Sequence, residues 1–206
     1  VVSGEEEAGL TLLGATWGLG PLAGTFALLD VGGGSTEVLL AEGGRMLVAV
    51  SLALGVVHLV ERFFAHDPAE PDELVRCRGY VDRRLRDEVW PRLRPHHPTM
   101  LIASAGTPTT LAALDLGLSA YDPARVQGHR LAAGAIERLT AQIAALPLAE
   151  RARTPALEPG RADVIVPGGI VLAAVHVPPR PDPPESMRTD GARPRAERIR
   201  ASAPES

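Results

Sequence analysis

Asp30 and Glu37 bracket Gly32, Gly33, Gly34, Ser35 and Thr36 in the stretch DVGGGSTE. Three glycines directly after the apolar run FALL are costly in a packed strand, because glycine loses the most backbone freedom on folding and brings no side chain. What they offer is a concavity of backbone N–H groups with nothing in front of them, which suits an anion, phosphate in particular. Ser35 and Thr36 add hydroxyl donors. Asp30 and Glu37 only accept when ionised, so they would hold a magnesium ion or its waters beside the phosphate. A plain hairpin turn with its acids in water would use the same residues.

Two further stretches bear on such chemistry. ASAGTPTTLAAL reads as strand, glycine, then helix, with Thr107 as N-cap and Pro108 at the first helical position. It would aim the free N–H groups and positive dipole end of a helix at one spot near Gly106 and Thr107. An ordinary well-capped strand-to-helix turn reads the same way. SGEEEA opens another helix, in which Ser3 and Glu6 form a capping box and Glu5 suits a first turn. Glu7 has no such structural role. Among like charges its pKa is pushed up, which suits a general base, although a solvated acidic first turn would look alike.

The chain that must position these residues has 206 residues, 45% of them hydrophobic, enough for a real core. Its net charge of -4 and its few aromatics give no footprint for DNA. Cys77 is the only cysteine, so there is no disulfide framework and no cysteine zinc site. No apolar run is long enough for a membrane span and no signal peptide is visible, which gives a cytoplasmic expectation. Lysine is absent, which removes the Walker A loop.

Apolar runs and glycines predict strands over 26–31, 37–42 and 45–54, with a helix opening at Gly55 and a loop at HDPAEPDE. Leu74, Cys77, Val81, Leu85 and Val89 share a stripe, predicting one long helix over 73–92. TMLIASAG is a strand and LAAGAIERLTAQIAAL a helix, while GRADVIVPGGIVLAAV is apolar but ambiguous because Pro167 interrupts it. The fold class is α/β, a mixed sheet with helices on its faces. From 178 to 206 the composition is rich in Pro, Arg, Ser and Glu, so this tail is expected to be disordered and dispensable. Arg76, Arg78, Arg83, Arg84, Arg86, Arg92 and Arg94 with His96 and His97 form a basic concentration, a guide for a polyanion or simply a solvated helix face.

SGEEEA, DVGGGSTE, SLALGVVHLVERF, SAGTPTTLAAL and EPGRADVIVPGG, in that order, closely resemble the exopolyphosphatase and guanosine pentaphosphate phosphohydrolase (Ppx/GppA) family. The resemblance implies a ribonuclease H-like lobe of the actin, sugar kinase and Hsp70 superfamily, with residues 1–177 as the second lobe and the first lobe missing. It implies magnesium-assisted attack of water that releases terminal phosphate from inorganic polyphosphate or the 5' phosphate of pppGpp. Glu7 falls on the family's catalytic base, and Asp30, Gly32, Ser35 and Glu37 fall on its phosphate and metal loop. A homodimer is implied for a full-length parent.

The departures carry expectations too. His58 stands where many relatives have arginine, and the strand and helix that follow EPGRADVIVPGG in the family are expected to be replaced by the Pro/Arg tail, as a frameshift or truncation would do. Alternatives to an active phosphohydrolase are a phosphate- or nucleotide-binding module without turnover and a sugar-kinase-like phosphotransferase lobe.

Overall fold

The computed structural model describes residues 4–20, 22–175 and 198–201, without side chains for 4–8, 159 and 198–201. Helix α1 (Gly4–Leu19) leads into a meander of β1 (Thr25–Val31), β2 (Thr36–Glu42) and β3 (Arg45–Leu52). Then come α2 (Val56–Phe63), α3 (Pro71–Glu88), α4 (Trp90–Leu93), β4 (Met100–Ser104), α5 (Gly106–Asp115), α6 (Pro123–Val126) and β5 (Arg130–Ala132). The chain continues through α7 (Ala133–Ala144), α8 (Leu148–Arg151), α9 (Ile165–Ala174) and β6 (Arg198–Ala201). The strand order is β3-β2-β1-β4-β6-β5. β1 pairs antiparallel with β2 and parallel with β4, so the sheet is mixed.

The three meander strands form where the apolar runs and glycines place them. Because side chains alternate across a strand, the sheet buries two separate faces. Ala27, Leu29 and Val31 of β1 join Val38, Leu40, Val50 and Leu52 under the helices that follow the meander, with Cys77, Val81 and Leu85 from α3 and Val171 and Leu172 from α9. Phe26 and Leu28 face the other way with Leu39, Ala41 and Ile102, covered by Leu12 and Ala15 of α1. Helices therefore lie on both faces.

Three expectations change and one open assignment is resolved. The long helix begins at Pro71, takes in part of the expected acidic loop, and breaks at Val89. Glu73 explains the early start: its carboxylate accepts from the N–H of Glu70 (2.9 Å) and of Ala65 (2.7 Å), closing a capping box. The Pro167 element is a helix, α9, because a proline near the start of a helix sacrifices only an N–H that has no partner there anyway.

Thr107 is not an N-cap. Ala105 holds that place and Thr107 is inside α5. Finally, the tail expected to be disordered supplies β6, which pairs parallel with β4 through Leu101↔Ile199 and antiparallel with β5 through Leu131↔Ile199. Backbone pairing needs no apolar period, and two strands flanking an open position provide donors and acceptors on both sides. The expectation that no strand follows α9 is thereby corrected, and the rest of the tail lies outside the described residues.

Candidate functional site

β1 ends at Val31 and β4 at Ser104, and since the two run parallel, their C-terminal ends open at one edge of the sheet. In open α/β sheets that edge is where ligands bind. Asp30 pairs with Glu37 across β1 and β2, and with Ser104 across β1 and β4. Direct cross-strand partners point to the same face, so Asp30, Glu37 and Ser104 share the side covered by α1. Ser51 donates its hydroxyl to Glu37 Oε1 at 2.8 Å, which holds that carboxylate in place.

The glycine loop sits directly beyond. The Gly32 N–H donates to the Ser35 carbonyl (2.9 Å), closing the turn, and the buried Thr36 hydroxyl donates to Leu54 O (2.9 Å). Thr36 is thus a structural pin. The first N–H groups of α2 are already taken, because Val56 and Val57 donate to Gly32 O and Gly33 O, each at 3.0 Å. A Cβ on Gly55 would lie 2.1 Å from Gly34 C, so loop and helix touch backbone to backbone. Gly34 itself is different: a Cβ there would meet nothing within 4 Å. His58 is exposed on α2.

The second turn follows β4. Helix N-termini leave their first N–H groups without intrahelical partners, and among the described residues no acceptor takes those of Gly106 or Thr107. The Thr107 side chain is largely buried and packs against Gly168 of α9, whose Cβ would lie 2.3 Å from the Thr107 hydroxyl. Its backbone N–H lies in the first turn of α5. The turn also brings a residue that sequence reasoning did not single out. A Cβ on Gly106 would fall 1.1 Å from Nη1 of Arg161, so that guanidinium lies over the start of α5, held by Glu158. The signal was present in EPGRADVIVPGG, but its distance in sequence hid the contact.

Glu7 lies in the first half of α1. The end of α1 lies beside the segment that leads into β5: a Cβ on Gly18 would fall 2.3 Å from the Gln127 side chain, and one on Gly128 would fall 3.7 Å from Leu19. The side chains of Glu6 and Glu7 and all of Ser3 fall outside the description, so the capping-box expectation does too. Among the described residues no group of three or more His, Cys, Asp and Glu gathers as a metal cage. Magnesium does not require one, being held by one or two carboxylates plus substrate phosphates, and the pair Asp30 and Glu37 fits that mode.

Residues 1–177 match the Ppx/GppA phosphatase family. The chain belongs to this family. Exopolyphosphatase 2 of Mycobacterium tuberculosis is 35% identical over 175 residues, covering 84% of this chain and 53% of that protein. Exopolyphosphatase 1 of Mycobacterium bovis is 30% identical over 171 residues, covering 83% and 49%. The crystal structure of the Aquifex aeolicus Ppx/GppA phosphatase superposes with a TM-score of 0.76 at 30% identity, covering 84% of this chain and 56% of that one. The chain thus spans about half the length of the relatives it matches. Its fold is the ribonuclease H-like, actin-type lobe of the family. No helix among the described residues is long and apolar enough to cross a membrane.

Proposed function

We propose that residues 1–177 are the second lobe of a cytoplasmic phosphohydrolase that releases terminal phosphate from inorganic polyphosphate or the 5' phosphate of pppGpp. The observation that carries this is the register Glu37↔Asp30↔Ser104, which sets two carboxylates beside two backbone turns and one guanidinium at a single sheet edge. An anion at this edge would meet the N–H groups of Gly33 and Gly34, that of Gly32 being used to close the turn, and those of Gly106 and Thr107. Gly34 supports the reading: it has an ordinary φ and open space over its Cα, so neither strain nor packing demands glycine there.

Asp30 and Glu37 would hold the magnesium ion, which neutralises charge on phosphate oxygens when bound. Glu7 would take the proton from the attacking water, and Arg161 would contribute a positive group facing the phosphate. The half-length coverage favours a second reading, a module that binds phosphate without turnover when no first lobe is present.

Phosphate release from polyphosphate and from pppGpp, measured over a magnesium titration for the chain alone and joined to a first lobe, separates the two. In the joined protein Glu7→Gln is expected to lower turnover by about 10² to 10⁴ fold, the range of general base catalysis, with substrate binding kept. Asp30→Asn is expected to weaken magnesium dependence as well as rate. A dead Glu6→Gln variant beside a normal Glu7→Gln variant would overturn the assignment of the base. Release by the chain alone would overturn the binding-module reading.

A further inference from the structure

We infer that Gly168 is a positioning residue for the phosphate site, acting through Thr107, and that the Thr107 side chain serves this contact rather than the ligand. The inference rests on the reading of the β4–α5 turn as part of a phosphate site. Helix α9 carries two successive glycines, each against a threonine of a different helix. A Cβ on Gly168 would lie 2.3 Å from Oγ1, 2.9 Å from Cγ2 and 3.1 Å from Cβ of Thr107 on α5. A Cβ on Gly169 would lie 2.3, 2.8 and 3.1 Å from the same atoms of Thr140 on α7.

The two contacts are nearly identical in geometry and differ in what they hold. Threonine is stiff at χ1, so neither can swing away as a long side chain would, and an added methyl must push a helix. Thr107 is the second residue of α5, in the turn whose N–H groups face the candidate phosphate. Thr140 is in the body of α7, and its buried hydroxyl has no hydrogen-bond partner among the described residues. Gly169 therefore serves packing alone. Gly168 sets how far the first turn of α5 stands from α9, and with it where the Gly106 and Thr107 N–H groups and the Arg161 guanidinium meet an anion.

The test uses the full chain, with amide NMR signals of Gly106 and Thr107 followed alone and in a titration with magnesium tripolyphosphate. Gly168→Ala should shift these signals in the free chain and weaken tripolyphosphate binding by about tenfold, the scale of one hydrogen bond to a charged group. Gly169→Ala should lower the melting temperature comparably while leaving both signals and affinity in place. Thr107→Ala should loosen the same turn from the other side, with faster hydrogen exchange at Gly106 and weaker binding. Combining it with Gly168→Ala refills the gap and should restore the signals and most of the affinity, a coupling that holds even if the single glycine variant does not fold. Equal loss of affinity in Gly168→Ala and Gly169→Ala, or no recovery in the double variant, would overturn the inference. A wild-type chain whose Gly106 and Thr107 signals ignore tripolyphosphate would instead overturn the phosphate reading, while the free-chain shifts still judge the contact.

Discussion

The two turns at the C-terminal edge of the sheet use glycine in opposite ways. The turn after β1 carries Gly32, Gly33 and Gly34, and none of them has a positive φ. The turn after β4 needs a glycine-like backbone and has Ala105 there, at φ 70 and ψ -168. In the first turn the helix that follows has its N–H groups filled by the loop's own carbonyls. In the second they stay available. A run of glycines therefore marks where backbone or ligand comes close, while an available helix terminus is decided by which carbonyls happen to reach it.

The largest expected effect breaks the first turn. Gly55→Ala would force a methyl to 2.1 Å from Gly34 C and 2.2 Å from Gly33 O, backbone atoms that cannot swing aside. A loss of about 3 kcal/mol or more is expected in a chemical denaturation curve, the upper end for overpacking. Gly34→Ala, with nothing within 4 Å of its Cβ, should stay within about 0.5 kcal/mol of wild type, as surface changes do. Tripolyphosphate binding should nevertheless fall in Gly34→Ala. Unchanged binding there would remove the strongest support for a ligand over the loop.

Gly106→Ala sharpens the contrast at the second turn. Its methyl would meet first the end of the long Arg161 side chain, which can move, so stability should change by about 1 kcal/mol or less. Tripolyphosphate affinity should drop by about tenfold as the guanidinium is displaced. A stability loss as large as that of Gly55→Ala would show Arg161 to be fixed rather than mobile.

What the sequence revealed of these turns follows from range. The strands, the glycine loop and the facing pair Asp30 and Glu37 were legible because hairpin register is set over a few residues. The Thr107 capping role was misassigned because Thr-Pro is a strong local signal, and Ala105 gave no local hint of its conformation. Arg161 over Gly106 and Thr107 against Gly168 join α5 to the segment around α9, contacts that no periodicity encodes. β6 was missed for a related reason: a strand flanked on both sides is specified by its partners more than by its own composition.

Acidification should loosen the first turn from a distance. Helix α2 docks on the glycine loop at its start, and beyond its end Glu73 receives the N–H of Ala65, with His66 Nδ1 3.0 Å away. The bond from the Ala65 N–H, then that from Glu70 and then His66, hold the Glu73 carboxyl down at about 2 against its usual 4.5. A depressed carboxylate contributes stability that is present above its unfolded value and lost as pH falls through the folded one. The loss should therefore run from about pH 4.5 down to 2. Glu73 raises the pKa of His66 above 6.5, chiefly through their hydrogen bond, so that side of the pair fades instead as pH rises past the raised value. Melting curves of wild type and Glu73→Gln across this range should converge at the acid end. Parallel curves would show that the carboxylate contributes nothing through its charge.

The one stabilising change concerns Ala105. A non-glycine residue at positive φ with ψ near 180° costs on the order of 1 to 3 kcal/mol. Ala105→Gly would remove that strain and give back part of the gain through the freer unfolded chain, roughly 0.4 to 1 kcal/mol. The balance is a stabilisation of about 1 kcal/mol, or a melting temperature higher by about 2 to 4 °C for a chain of this size. Binding separates two meanings of the strain. If Ala105 merely tolerates the conformation, the glycine variant should bind tripolyphosphate as wild type does, because the N–H groups of Gly106 and Thr107 keep their places. If its Cβ fixes how the strand enters α5, the stabilised variant should bind more weakly. The contact of Thr107 with Gly168 already anchors that turn from the other side. Unchanged binding with a higher melting temperature is therefore the expected result, and a lower melting temperature would show that Ala105 is not strained.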